Sequence, residues 1–453
     1  MPKELFGTDG IRGVPGEYPL DDATLFRAGQ ALGDFLRAAP SSAKPRVLIG
    51  MDTRESGPHM AERIAQGLRA ASCEPVSAGV VTTPGVAWLV HAEGFAAGAV
   101  ISASHNPYTD NGVKLISASG MKFPDEAEAR LEAVILAAQK SNAAVPATTS
   151  DGLPASGKLH DDYLAALRGA IFPDANLKGM KIVLDCANGA ASALAPKLFR
   201  SLGVDVVSIF DKPDGRNINS GCGSLHPEAM RKKAAEAGAA LGIAFDGDAD
   251  RAIFCAATGR IVDGDGVLYA ASRHLKSTGK LKGSAIVGTS MSNLGLERAL
   301  GREGLTLTRV PVGDRYVLEE MLRSGANLGG EQSGHIIFLD DATTGDGMLT
   351  AVKIASLVSI AGPLDDLVAG LKIYPQTIVN VRVRSKPPLE SLPAVSRALA
   401  EAEKSLGNSG RIVLRYSGTE SLARVMVEAE RSEDVERYSQ SIAAAIRTSI
   451  GAG

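Results

Sequence analysis

Aromatic side chains are scarce in these 453 residues: 11 Phe, 8 Tyr and a single Trp, 4% in all. Proteins that hold single-stranded nucleic acid stack bases on aromatic rings, so a platform of that kind is not expected. Cysteine is scarcer still, with four residues at 73, 186, 222 and 255 and no Cys-x-x-Cys pair. That scatter is neither a zinc pattern nor a disulfide framework, and it fits a reducing compartment. Neither sign of charge dominates: 48 Lys and Arg stand against 51 Asp and Glu, a net charge of −3, with no long basic run. A polyanion-binding surface is therefore not expected, although local positive pockets are compatible with the count. There is no run of ~18 apolar residues to span a membrane. The opening Met1-Pro2-Lys3-Glu4-Leu5-Phe6 turns polar at once, without the apolar core of a signal sequence. The expectation is a soluble, cytoplasmic protein whose partners include neither nucleic acid nor membrane.

What is present suits a large globular protein with a real core. Hydrophobic residues make up 45% and charged residues 22%, and the length suggests about three domains, or four if they are small. Glycine is abundant, 50 residues or about 11% against a usual ~7%. The excess gathers in loops after apolar runs, where backbone N–H groups can approach an anion. Three β-branched runs, at 46–50, 181–185 and 285–288, each lead through a small-residue loop toward an amphipathic stretch, as at 60–71 and 190–202. This alternation predicts α/β units with largely parallel sheets, spaced as three related domains. A Pro, Ala and Thr-rich stretch at 145–157 reads as a linker, and Gly362-Pro363 as a second break. Beyond it, strands are predicted over 377–383, 411–415 and 423–427 and a helix over 433–447, a smaller α+β domain.

Four motifs carry chemistry. Asp246-Gly247-Asp248-Ala249-Asp250-Arg251 follows the apolar run 241–245. Three carboxylates at alternating positions at a strand end can converge on a hard divalent cation, with Arg251 beside it to hold a phosphate or neutralise the carboxylates. An EF-hand does not fit, since no glutamate stands at the twelfth position. Ile101-Ser102-Ala103-Ser104-His105-Asn106-Pro107 places two serines on a small-residue loop at a strand end, where a hydroxyl can accept a phosphoryl group. The residues alone do not choose between Ser102 and Ser104. Lys114, in Asp110-Asn111-Gly112-Val113-Lys114, is expected to face the same pocket. Gly329-Gly330-Glu331-Gln332-Ser333-Gly334-His335 offers a carboxylate, a hydroxyl and an imidazole to sugar hydroxyls. Arg415-Tyr416-Ser417-Gly418-Thr419-Glu420, with Arg424 nearby, has the composition of a phosphate cradle.

Together with the opening Phe6-Gly7-Thr8-Asp9-Gly10-Ile11-Arg12-Gly13, these motifs resemble the α-D-phosphohexomutase family across the whole chain and in that family's order. The resemblance implies a fold of four domains around a central cleft, three similar α/β domains and a smaller C-terminal α+β domain. They are expected at 1–153 with the phosphoserine loop, 154–253 with the metal loop, 254–366 with the sugar loop and 367–453 with the phosphate loop. It picks Ser104 as the phosphorylated serine. It also implies Asp246, Asp248 and Asp250 as ligands of one Mg²⁺ per chain, with the phosphate on Ser104 as a fourth. Glu331, Ser333 and His335 match the sugar loop. Arg415, Ser417, Gly418, Thr419 and Arg424 match the phosphate loop.

Within the family, FGTDGIRG, ISASHNP, GEQSGH and the 312–317 segment Val-Gly-Asp-Arg-Tyr-Val resemble the members that act on glucosamine phosphates. The reaction implied takes glucosamine 6-phosphate to glucosamine 1-phosphate through a sugar 1,6-bisphosphate that also serves as primer, feeding amino-sugar nucleotide and cell-wall precursor synthesis. Lys114, His335 and Arg12 are the candidates for acid and base. The partner implied is a small phosphosugar, with a homodimer carried as the candidate assembly. Rival readings are a mutase for glucose or mannose phosphate, against which Gln332 replaces a common methionine, and a silent phosphosugar-binding protein, against which Ser104 and the aspartates are intact. Two positions depart from the pattern, Ser421 for a usual proline and Ala249 for a usual glycine. Neither removes a functional group.

Overall fold

The computed structural model describes residues 4–7, 9–38, 44–141, 144–147, 152–153, 155–417 and 421–452. By the density of its internal contacts the chain divides into two units, residues 1–289 with 310–368, and residues 290–309 with 369–453.

The first unit carries three α/β sheets. The first has six strands in the order Phe6–Gly7, Gly10–Gly13, Asn111–Ser117, Ala97–Ile101, Arg46–Met51, Glu74–Val80. The second has five, in the order Ile261–Val262, Ala252–Ala256, Leu241–Phe245, Lys181–Asp185, Asp205–Ile209. In the third, Ala285–Thr289 pairs in parallel with Leu328–Gly330, which pairs antiparallel with Ile336–Phe338. The predicted runs at 46–50, 181–185 and 285–288 each lie in a strand, one in each of the three sheets.

The sheets are mixed, not largely parallel. In each, a parallel core ends in an antiparallel hairpin: Ala97–Ile101 with Asn111–Ser117, Leu241–Phe245 with Ala252–Ala256, and Leu328–Gly330 with Ile336–Phe338. The reason is connection length. Loops this short can join only antiparallel neighbours, because a parallel return needs a crossover. Those three hairpin loops are the serine motif, the aspartate motif and the Glu331 motif.

Helices pack the sheets from outside. Asp22–Arg37 begins on the N-cap Asp21, whose carboxylate accepts from the amides of Ala23 and Thr24 at 3.0 Å. It crosses Gly57–Ala70 so closely that a Cβ at Gly67 would lie 2.0 Å from the Phe26 carbonyl oxygen, so only glycine permits that approach. Leu25, Leu32, Ile64 and Leu68 from these helices meet Val47, Ile49 and Ile101 of the sheet in one core. All four cysteines are buried and unpaired.

In the second unit, Gln376–Arg382, Leu422–Ala429 and Gly410–Tyr416 form an antiparallel sheet with Leu422–Ala429 in the middle. Pro393–Leu406 and Ser432–Ile450 cover it, burying Val395, Leu406, Ile442 and Ile446 against Val425 and Val427. This is the α+β region expected of the C-terminal segment, with the three strands and the closing helix within one to three residues of their predicted ends, while the helix Pro393–Leu406 was not expected. No helix among the described residues is long and apolar enough to cross a membrane.

Candidate active site

Ser104 lies in the loop of the first hairpin. Its hydroxyl donates to Asp246 Oδ2 at 2.7 Å and stands 3.3 Å from Nδ1 of His105. Ser102, the other serine of the motif, is fully buried, and its oxygen accepts the Ser104 amide at 2.9 Å. The chemistry of the motif left the two serines level and the resemblance picked Ser104; the fold turns Ser104 toward the aspartates.

Asp246, Asp248 and Asp250 are all buried, and one carboxylate oxygen of each lies within 4.8 Å of the others. Burial and the charges of Asp250 and Asp248 push the Asp246 carboxyl well above its ordinary range. Asp248 goes the other way. Burial opposes its ionisation, but Lys114 Nζ at 3.0 Å and the Thr83 hydroxyl at 2.7 Å outweigh that and hold it low. Asp248 Oδ1 and Asp250 Oδ1 are buried without a hydrogen-bond partner. Converging oxygens, mutual repulsion and unsatisfied lone pairs together fit a hard divalent cation.

Backbone bonds stitch the loops together. The Thr83 amide donates to the Asp248 carbonyl at 3.1 Å, and the Ala252 amide donates to the Gly334 carbonyl at 3.1 Å. A Cβ at Gly247 would lie 2.5 Å from the Ser104 carbonyl oxygen, so the aspartate loop rests directly on the serine loop.

Lys114 opens a line of alternating charges that the sequence did not disclose. Its ammonium reaches Asp248 at 3.0 Å and Asp9 at 3.1 Å. Asp9 also binds Arg12 and Lys122, each at 2.6 Å, and Lys122 binds Asp314 at 2.6 Å. His335 Nε2 lies 3.7 Å beyond, on Asp314. Burial opposes the charges of Lys114, Asp9, Lys122 and Asp314, yet their partners prevail. Lys114 is raised by Asp248 and Asp9, and Asp9 is held well below the carboxylate range by Lys114, Lys122 and Arg12. Asp9, Lys122 and Asp314 had no assigned role. The only signal was that Asp9 and Asp314 sit inside quoted motifs.

The remaining candidates are distributed around this centre. The Arg251 amide donates to Asp246 Oδ1 at 3.2 Å, and its guanidinium lies 3.7 Å from Asp250. Glu331 accepts the Gly313 amide at 3.0 Å and a longer bond, 3.4 Å, from the Ser333 hydroxyl. His335 is 3% exposed, its ring against Gly345, and neither ring nitrogen has a hydrogen-bond partner. Gln332 bonds to Asp263, the N-cap of Gly264–Ser277.

In the second unit, Arg415 and Arg424 stand opposite each other on paired strands. Burial and the Arg424 charge both lower Arg415. Like charges in register repel, and an anion between them removes that cost. Ser417 is buried beside them, its carbonyl accepting from Lys386 Nζ at 2.9 Å. Gly418 and Thr419 lie outside the described residues.

A serine hydroxyl against a cluster of three buried carboxylates, on hairpin loops of successive α/β domains, is the apparatus of a phosphoryl-transferring sugar mutase. The chain belongs to the phosphoglucomutase/phosphomannomutase family. Its α/β/α domain I matches at residues 3–142, domain II at 161–259, domain III at 263–374 and the C-terminal domain at 378–445. The chain is 52% identical, over the full length of both, to the phosphoglucosamine mutase of Solibacter usitatus (strain Ellin6076). Among solved structures it resembles a phosphoglucomutase/phosphomannomutase family protein from Burkholderia thailandensis, at 25% identity and a TM-score of 0.80, covering 98% and 97% of the two chains. In fold it also resembles the N-acetylphosphoglucosamine mutase of Aspergillus fumigatus, solved with GlcNAc-6P and magnesium. There the identity is 18%, the TM-score 0.62 and the coverage 99% and 96%.

Proposed function

We propose that the chain interconverts glucosamine 6-phosphate and glucosamine 1-phosphate through a phosphate carried on Ser104 and a 1,6-bisphosphate intermediate. The observation that carries the chemistry is the Ser104 hydroxyl, 2.7 Å from Asp246 at the edge of three buried aspartates. The sugar is supported by the Solibacter relative, a phosphoglucosamine mutase at 52% identity.

In the forward step the Oγ–P bond of phospho-Ser104 breaks as a bond forms from phosphorus to the free sugar hydroxyl, which loses its proton. The departing serine oxygen then gains a proton. His105 Nδ1, 3.3 Å from that oxygen, and the Lys114 ammonium, held by Asp9 and Asp248, are the nearby groups for these transfers. The guanidinium groups of Arg12 and Arg251 offset the charge of the moving phosphoryl group. One Mg²⁺ per chain, held by Asp246, Asp248, Asp250 and the serine phosphate, would supply further positive charge there. Glu331 and Ser333 bind sugar hydroxyls, with His335 behind their loop. Arg415, Ser417, Gly418, Thr419 and Arg424 grip the phosphate that is not reacting. The second step is the reverse, the other phosphate of the bisphosphate returning to Ser104, and free bisphosphate primes an unphosphorylated enzyme. The cytoplasm is the proposed compartment, in keeping with four unpaired cysteines.

Parallel kinetics on glucosamine, glucose and mannose phosphates, with Ser104 phosphorylated to the same extent, test the sugar. A charge-assisted contact to the C2 ammonium is worth ~1.5–3 kcal/mol against about 1 for a hydroxyl, a preference of roughly tenfold or somewhat more in kcat/KM. A higher kcat/KM for glucose or mannose phosphate would overturn the glucosamine reading.

A further inference from the structure

Ser104 has φ +50, the left-handed region that residues with a side chain enter only when their surroundings hold them there. One torsion separates the backbone of a serine from its hydroxyl, so the aim of Oγ follows from the main chain. Two side chains hold that main chain. Arg54, three residues beyond the strand Arg46–Met51, has a wholly buried guanidinium. One of its nitrogens pairs with the buried carboxylate of Asp52, and the other donates to the carbonyls of Ser104 at 3.2 Å and Asn106 at 2.6 Å. Asn219, between Asp205–Ile209 and Glu228–Ala237, donates through Nδ2 to the same carbonyls, at 2.9 and 3.0 Å. Each donor bridges carbonyls two residues apart on the turn that carries the hydroxyl. The aspartate loop closes on the same point, since a Cβ at Gly247 would lie 2.5 Å from the Ser104 carbonyl and 2.8 Å from Asn219 Nδ2.

We propose that Arg54 and Asn219 are positioning residues for the phosphoryl transfer: their paired hydrogen bonds hold Ser104 in its left-handed conformation and keep Oγ against the aspartates. Neither touches the hydroxyl, and both act through the main chain. The inference rests on the reading of Ser104 as the phosphorylated residue. It predicts a loss in kcat without a matching change in KM, because the grip on the sugar phosphate is left in place and only the alignment suffers.

Asn219 is the cleaner position to test, since Arg54→Ala strands the buried Asp52 and threatens the fold. With φ +58 at Asn219, Asn219→Gly removes the donor without backbone strain, and Asn219→Asp keeps the shape while turning donor into acceptor. Two readouts are taken on the full chain. Hydrogen exchange of the 104–106 amides reports the clamp whether or not the enzyme is a mutase, and steady-state kinetics on glucosamine 6-phosphate report its use. Expected in both variants is faster exchange confined to that loop, kcat down about 10- to 100-fold and KM within about threefold. Unchanged exchange would overturn the clamp. Faster exchange with kcat within twofold of wild type would overturn its part in catalysis. A wild-type chain without mutase activity or phosphate on Ser104 would instead remove the functional reading, and with it the catalytic part of this proposal, while the exchange arm still judged the clamp.

Discussion

Ser104 and Asp246 are 142 positions apart in the chain, and the hydroxyl of the first donates to Oδ2 of the second at 2.7 Å. The bond joins the hairpin loops of two different sheets, and it sets the serine hydroxyl against the three buried aspartates.

From that contact, Ser104→Ala is expected to lower kcat by at least about 10³-fold with little change in melting temperature. Ser102→Ala should do the opposite. It loses the acceptor of the Ser104 amide, worth about 1–3 kcal/mol of stability, while peptide mapping still finds phosphate on Ser104. Phosphate found only on Ser102 would refute the assignment.

Three buried carboxylates that repel one another should also make stability depend on the cation. At a Mg²⁺ concentration ~100-fold above Kd, binding to the native state alone adds about 2.7 kcal/mol. The melting temperature of the wild type is expected to rise with Mg²⁺ and fall in chelator, and that of Asp248→Asn to respond far less. Equal melting curves in Mg²⁺ and chelator for the wild type would count against the site.

Ala249 sits fully buried at φ +56, where the resemblance expects glycine. The left-handed conformation costs alanine about 1–2 kcal/mol, and glycine would give back roughly 0.4–1 through the freedom of the unfolded chain. Ala249→Gly should therefore be neutral to about 1 kcal/mol stabilising with activity retained. Ala249→Val, larger and β-branched, should destabilise by several kcal/mol. Chemical unfolding of the two variants checks both directions.

Asp185, fully buried at the end of the strand Lys181–Asp185, is raised to about 6 by burial, against the pull of the Gly223 and Ala187 amides it accepts. Its ordinary value is 3.8, so the folded chain binds this proton more tightly than the unfolded one. Its stabilising contribution is complete below about pH 4 and is lost as pH rises to about 6, in all roughly 3 kcal/mol. The stability of wild type relative to Asp185→Asn should therefore fall between pH 4 and 6.5. A difference that stays constant across that range would show the carboxyl to be unshifted.

Local pattern was enough for much of this molecule. Val47, Val183 and Val287 lie in strands because β-branched runs beside small-residue loops allow little else. The Asp246, Asp248 and Asp250 triplet sits at the strand end where alternation placed it. Single-residue identities and their neighbours in sequence carry that information, and no long-range contact is needed to read it.

What remained needed the folded chain. Whether Ser102 or Ser104 faces the aspartates depends on which oxygen the Ser104 amide occupies. The line from Asp248 through Lys114, Asp9 and Lys122 to Asp314 joins residues brought together from three domains. No periodicity marks such pairs, because the energy of an ion pair depends on distance and burial in space and not on spacing along the chain. The same holds for Arg54 and Asn219, ordinary polar residues by sequence, whose meeting at the Ser104 carbonyl exists only once two sheets have packed together.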